Sequence, residues 1–250
     1  MKRQQQDNVG RTTPDAHNSN TSGKHSTARA ALLAFGAVVV IGAVSFGIAR
    51  YTVESARPAP GQLPALAEQA ETGGNTLLAI ALRKQYLEKF PSDATARIFY
   101  AAALARGGQF NEADAEIERL GKQPETGVLL LGEANKFYDK PDFPVAAFLY
   151  RRYLTGFDST NVPARIDCGY ALFRSGLREE GKSMTMSALD HSPKQPLALF
   201  NLGVMAAEEE DMTLAAERFE ECAEAAQEHY PEIAAKARQI LGRIKQLSDN

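Results

Sequence analysis

The sequence predicts an all-α protein built from antiparallel helix pairs, preceded by one transmembrane helix. Three features predict this fold. Small residues recur at steps of 33–35 positions, a run of 20 residues carries no charge, and the end of the chain forms one amphipathic helix. The 250 residues are 44% hydrophobic and 24% charged, which provides enough apolar side chains for one or two domains with a core.

Two columns of small side chains carry the repeat. The first column is Ala67, Ala101, Ala134, Gly169 and Gly203, and the second, 12 positions later, is Ala79, Ala113, Ala146, Gly181 and Ala215. Two helices can cross with their backbones close together only where the contacting side chains are small. The columns therefore predict five helix pairs, each crossing at one Ala or Gly from each helix.

A third column predicts the turn inside each pair. Seven residues after the first small residue stand Gly74, Gly108, Pro141, Gly176 and Glu210. Gly or Pro suits a break between helices, and four of the five positions have one. After the fifth pair, residues 231–247 place Ile and Leu on one face at helical spacing, which predicts a capping helix with its apolar side inward.

Residues 30–49 are predicted to cross a membrane. The segment has no charge and no Pro, and ten of its residues are Leu, Ile, Val or Phe. Twenty residues at about 1.5 Å each span roughly 30 Å, the thickness of a bilayer core. Two alternatives remain open at this point: a buried core helix, and a signal peptide cleaved near Gly47-Ile48-Ala49.

The charges flanking this segment predict its orientation. Residues 1–29 hold five basic and two acidic side chains, whereas residues 50–250 hold 23 basic and 29 acidic ones. The positive-inside bias predicts a single-pass protein of the inner or cell membrane, with its N-terminus in the cytoplasm. The C-terminal domain then lies on the periplasmic or extracytoplasmic side. We expect a disordered tail over 1–29, a Pro-containing linker over 50–60 and the repeat domain over 61–247.

The repeats resemble the tetratricopeptide-repeat (TPR) family, in its single-pass, membrane-anchored bacterial envelope type. The fifth unit carries the resemblance best, as Leu199-x2-Leu202-Gly203-x2-Ala206 followed by Ala215-x3-Phe219. The chain departs from the family pattern at Arg97 and Arg165, which stand where the family has an aromatic residue. The resemblance covers about residues 60–229 and implies a right-handed superhelix whose first helices line a concave, protein-binding groove.

Carrying the family's groove positions onto this chain gives a candidate site for a protein or peptide segment. The positions are Ile98, Leu131, Asn135, Tyr138, Ile166, Tyr170, Phe173, Arg174 and Phe200. The mixture of aromatic and apolar side chains favours an extended segment or a helix as the ligand. The alternative is that several of these side chains pack against the next unit.

The composition argues against other kinds of function. A net charge of −3 provides no basic excess for nucleic acid. The four histidines are dispersed, and no motif predicts catalytic residues, a cofactor or a metal site. Cys168 and Cys222 are interpreted as small buried hydrophobic residues, with a disulfide as the alternative. The acidic run over 208–211 is either a solvated face or a contact for a basic partner.

The sequence thus predicts a non-enzymatic, membrane-anchored scaffold or assembly factor that presents a groove to a protein partner. The alternative is a structural membrane protein that self-associates as a homo-oligomer and has no dedicated ligand groove. The residues themselves do not select the partner or the pathway.

Overall fold

The computed structural model describes residues 58–248, with side chains over 58–246. A short 3-10 turn, Pro60–Gln62, leads into eleven α-helices. These are α1 Leu63–Thr72, α2 Thr76–Lys89, α3 Ala94–Arg106, α4 Phe110–Glu118, α5 Pro124–Asp139, α6 Phe143–Gly156, α7 Val162–Arg174, α8 Arg178–His191, α9 Pro196–Glu208, α10 Met212–Ala226 and α11 Pro231–Ser248. This part of the chain contains no strand, so the all-α prediction is confirmed.

The membrane prediction concerns other residues. The tail over 1–29, the predicted transmembrane helix over 30–49 and most of the linker over 50–60 lie outside the described residues. Between 58 and 248, no helix is both long enough and apolar enough to cross a bilayer.

The helices form five consecutive pairs, from α1 with α2 to α9 with α10, and α11 packs against the last pair. First helices of successive units also contact one another: α3 contacts α5, α5 contacts α7, and α7 contacts α9. The first helices of units two to five therefore lie side by side along one surface of the array. This surface is called the inner face below.

Each pair crosses where the sequence predicts it. All ten Ala and Gly residues of the two columns are buried. The approach is closest in unit four, where a Cβ atom built on Gly181 would lie 2.5 Å from the backbone nitrogen of Phe173, and one built on Gly169 would lie 2.8 Å from that of Thr185. Backbone atoms cannot move aside cheaply, so these two positions require glycine.

The predicted turns share one conformation. The backbone has positive φ at all five turn positions, including Glu210 at 64°. Three residues after the end of each first helix, an N–H group donates to the carbonyl five positions earlier. These bonds are Asn75 to Ala70, Gln109 to Leu104, Asp142 to Phe137, Leu177 to Leu172 and Asp211 to Ala206, at 2.7–3.0 Å. The bond satisfies a carbonyl that the helix end would otherwise leave unpaired.

The two arginines that replace the family's aromatic residue make matching contacts. Arg97 pairs with Glu116 of α4 and donates to the carbonyl of Pro91. Arg165 donates to Ser187 Oγ of α8 and to the carbonyl of Ser159. Each arginine thus ties its helix both to the partner helix of the unit and to the preceding loop, through polar bonds instead of ring packing.

Both cysteines are buried and unpaired, which confirms their interpretation as small core residues and removes the disulfide alternative. Burial raises the pKa of the Cys168 thiol to about 12 and that of Cys222 to about 11. Neither side chain is therefore a ready thiolate nucleophile.

The close crossing in unit four gives a stability prediction. Gly181→Ala should lower the free energy of unfolding by about 2–3 kcal/mol, because its methyl group would overlap the backbone of α7. Gly132→Ala in α5 is the matched control, since a Cβ there meets nothing within 4 Å. Because Ala has a higher helix propensity than Gly, this variant should be as stable as the wild type or slightly more stable. Thermal unfolding of the two variants compares them, and equal melting temperatures would contradict the crossing geometry.

Candidate partner-binding face

Three of the nine predicted groove residues lie in the core instead of on the surface. Ile98 and Ile166 are 0% exposed and Phe173 is 2% exposed. Ile166 packs with Ala188 and Ala198, and Phe173 packs with Leu202 and Met205, which joins unit four to unit five. For these three, the packing alternative holds, because each lies on the side of its first helix that faces the neighbouring helices.

The other six predicted residues reach the surface, and the structure brings four of them together. Asn135, Tyr138, Tyr170 and Arg174 share a network of ring and hydrogen-bond contacts across α5, α6 and α7. Leu131 lies with Asn135 in an adjoining cleft of about 540 Å³ between α5 and α6. Phe200 is separate, because its ring packs on Phe219 in unit five.

Four aromatic rings pack together at the centre of this face, and we call them the tyrosine cluster; the Tyr150 ring is buried, whereas the other three are partly exposed. They are Tyr138 of α5, Phe143 and Tyr150 of α6, and Tyr170 of α7. The ring centroid of Tyr138 lies 5.7 Å from that of Phe143, 6.3 Å from Tyr150 and 6.0 Å from Tyr170, and most pairs meet edge to face. Edge-to-face contacts at these distances stabilise ring pairs, so the cluster holds α5, α6 and α7 in fixed relative positions.

Hydrogen bonds orient the edges of the tyrosine cluster. The Tyr150 hydroxyl donates to Asn135 Oδ1 at 2.7 Å. The Arg174 guanidinium donates to the Tyr170 hydroxyl at 2.9 Å and lies over the Phe143 ring, 5.2 Å from its centroid. The bond from Arg174 to Tyr170 also raises the pKa of Arg174, so this cation stays charged at the border of the cluster.

Two carboxylates border the same rings. Asp139 is exposed at the end of α5, and Asp167 is half-buried on α7. Burial is the main cause that raises the pKa of Asp167 to about 6; the charge of Asp139 adds to the rise, and the nearby Tyr150 hydroxyl opposes it. After burial, both carboxylates raise the pKa of the Tyr138 hydroxyl. The two acids therefore act on one small volume of the inner face.

No side chain over 58–246 forms an ion pair with Asp139 or Asp167. The nearby lysines are paired elsewhere: Lys136 contacts Glu133 at 2.8 Å, and Lys140 lies 3.8 Å from Glu68. The arginines of α6 bind Glu180 and Asp114, and Arg165 binds Ser187. Two negative charges are thus left uncompensated beside the tyrosine cluster.

Sequence reasoning did not include Asp167, Phe143 or Tyr150 in the groove. Asp167 carried a detectable signal, since it is the one acidic residue in the apolar run of α7 between Ile166 and Phe173. Phe143 and Tyr150 carried none, because they belong to a second helix. Phe143 is partly exposed beside Tyr138, and Tyr150 is buried against the same ring.

The acidic run over 208–211 has mainly structural contacts. Glu209 binds Lys182 at 2.8 Å, and Asp211 caps α10 by accepting from the Leu214 N–H. Glu210 provides the turn with positive φ. The exposed Glu208 is near enough to Arg174 for its charge to contribute to the raised pKa of that residue.

A second polar cluster, which joins units one, two and three, is charge-balanced. Arg83 makes a two-pronged bond to Glu71 at 2.6 and 2.9 Å, and Arg106 binds Asp142 and approaches Glu71. Because each charge has a partner, this cluster ties the first three units together. Among the described residues, no group of three or more His, Cys, Asp or Glu side chains could hold a metal ion.

Comparisons with known proteins find similar structures but no related sequence. No family model matches the chain, and no curated protein matches it. The solved structures that it resembles include TPR proteins. One is the first TPR of Spaghetti (RPAP3) bound to an HSP90 peptide, with a TM-score of 0.44, 16% identity and coverage of 51% of this chain and 97% of that one. YrrB, a TPR protein with a peptide-binding site, has a TM-score of 0.44, 20% identity and coverage of 76% and 97%.

The Sgt2 TPR domain from Aspergillus fumigatus has a TM-score of 0.44, 22% identity and coverage of 51% of this chain and 81% of that one. TM-scores and identities this low carry no ligand or partner from these proteins to the present chain. The function proposed below therefore depends on the chain's own residues.

The uncompensated Asp167 gives a prediction about pH. Its folded pKa of about 6 exceeds the usual value of about 4 in an unfolded chain, so the folded state binds more protons between these values and stability falls as pH rises from about 4 to 6. Asp167→Asn removes this loss. The variant should exceed the wild type by roughly 1–3 kcal/mol at pH 7.5 and by much less at pH 4.5.

Melting temperatures at the two pH values measure this difference. Asp190→Asn, at an exposed position on α8, is the control and should change little at either pH. If Asp167→Asn lowered the melting temperature equally at pH 4.5 and 7.5, the carboxylate would be a stabilising structural group and the assignment of its environment would be contradicted.

Proposed function

We propose that this protein is a membrane-anchored scaffold that binds a segment of another protein on its inner face, across the tyrosine cluster. The observation that carries the proposal is the juxtaposition of solvent-reaching tyrosines with two unpaired carboxylates on α5 and α7. Interface centres are enriched in Tyr, and a half-buried charge without an ion-pair partner, as at Asp167, is costly to the folded chain.

The shape of the surface supports an elongated ligand. The exposed side of α5 runs from Val128 through Leu131 and Asn135 to Asp139, at helical spacing over about three turns. Its first part lines the cleft of about 540 Å³, and its last part borders the tyrosine cluster. A peptide lying along this side would contact apolar groups at one end and polar, aromatic groups at the other.

The membrane anchor is the second part of the proposal and rests on residues 30–49. A scaffold joined to the bilayer through residues 50–60 would hold its partner within roughly 35 Å of the membrane surface, given about 3.3 Å per extended residue. Confinement of this kind raises the local concentration of the partner without any new contact.

Site-specific photocrosslinking in intact membranes tests the inner face. A photoreactive residue at Val128, which is 74% exposed, should yield an adduct with another protein, whereas one at Met186, 55% exposed on α8, should not. Tyr138→Ala with Tyr170→Ala should lower the Val128 adduct at least ten-fold, because the rings supply the main apolar contact area.

A second variant guards against a folding defect. Asn135→Arg keeps every ring and sets a long side chain across the exposed face; circular dichroism should show unchanged helix content while the adduct still falls. An adduct that is equally strong in both variants would refute binding at the tyrosine cluster. An adduct consisting only of a second copy of the chain would favour the structural, self-associating alternative.

Alkaline carbonate extraction tests the anchor. The full chain should stay in the membrane pellet, and deletion of residues 30–49 should release it to the supernatant, because about ten large apolar residues favour insertion by several kcal/mol. A full-length chain released by carbonate would contradict the anchor. A chain whose mass shows removal of the residues before position 50 would instead support the signal-peptide alternative.

A further inference from the structure

We propose that the tyrosine cluster, together with Asp139 and Asp167, takes up a Lys or Arg side chain of the bound segment. This inference rests on the proposed function and names the chemistry of the ligand at that face. It commits to a basic protein segment, because the charge left on the inner face is negative and the surrounding groups are aromatic.

The rings offer suitable faces for a cation. Lys and Arg are attracted to aromatic faces within about 6 Å of the ring centroid. Arg174 demonstrates this on the same cluster, because its guanidinium lies 5.2 Å from the Phe143 centroid and 5.7 Å from that of Tyr170. Asp139 adjoins Tyr138 in α5, Asp167 lies about one helical turn before Tyr170 in α7, and both carboxylates act on the Tyr138 hydroxyl. Glu208 acts on the charge of Arg174.

The charged groups around the cluster come from every helix that meets it. Asp139 comes from α5, Asp167 and Arg174 from α7, and Glu208 from α9. On α6, Arg151 is paired with Glu180 and Arg152 with Asp114. Three acids therefore face one cation, and an incoming Lys or Arg would reduce this imbalance through charge-assisted hydrogen bonds.

The polar edge of the cluster also offers a hydrogen-bond acceptor. Among the described residues the Tyr138 hydroxyl has no hydrogen-bond partner, so its oxygen is free to accept from an ammonium or guanidinium group. A divalent metal ion fits less well, because only two carboxylates converge here and no larger set of metal-binding side chains exists in the described range.

A pair of synthetic peptides tests the inference on the full chain in lipid nanodiscs, with EDTA present throughout. The peptides have blocked ends, one Trp reporter and a central residue that is either Lys or Gln. Since the protein contains no Trp, Trp fluorescence reports only the peptide. The Lys peptide should bind about ten-fold more tightly than the Gln peptide.

Matched variants separate this site from general electrostatic attraction. Asp139→Asn with Asp167→Asn should abolish the preference for Lys, whereas Asp190→Asn with Glu220→Gln, which makes the same change in net charge at exposed positions elsewhere, should preserve it. Equal binding of the Lys and Gln peptides would overturn the inference, as would a preference that survives in the double Asn variant.

The outcome is distinguishable from failure of the proposed function. If the Val128 adduct persists and depends on Tyr138 and Tyr170 while the peptides show no preference, the face binds a protein segment without recognising a basic side chain. If the adduct and the preference are both absent, both proposals fall.

Discussion

The close approach of two helix backbones at each small-residue crossing is the constraint on which the rest of the array depends. At Gly169 and Gly181 the backbones of α7 and α8 lie too near for any Cβ atom. That approach fixes how each pair is inclined, and larger side chains on either side then fill the space between units. The inner face is a consequence, because it exists only when α3, α5, α7 and α9 are held side by side.

The sequence predicted the parts of the fold that depend on backbone geometry. Ala and Gly at the crossings follow from the close approach of two helices, and Gly at three of the turns follows from the positive φ of the backbone there, so their spacing alone located five helix pairs. The structure adds that Glu210 takes the same left-handed turn without being glycine. Its cost in conformational energy, about 1 kcal/mol, is small enough for neighbouring contacts to offset.

The candidate site was less predictable, for a physical reason. Helical periodicity identifies which residues share a side of a first helix, but two sides are apolar: one packs on the partner helix and one on the next unit. Ile98, Ile166 and Phe173 occupy the packed sides, whereas Tyr138 and Tyr170 reach the surface. Asp167 is half-buried among apolar neighbours, and its unfavourable position is typical of groups retained for binding instead of stability.

Selective ¹³C labelling of the eight tyrosines gives the most direct measurement of the central claim, that a protein segment binds across the tyrosine cluster. The full chain in nanodiscs is titrated with the Lys peptide, and the ring resonances are followed by NMR. The account predicts that the resonances of Tyr138, Tyr150 and Tyr170 shift together while Tyr86 and Tyr230 stay unchanged. Shifts at Tyr86 or Tyr230 with Tyr138 and Tyr170 unmoved would contradict it.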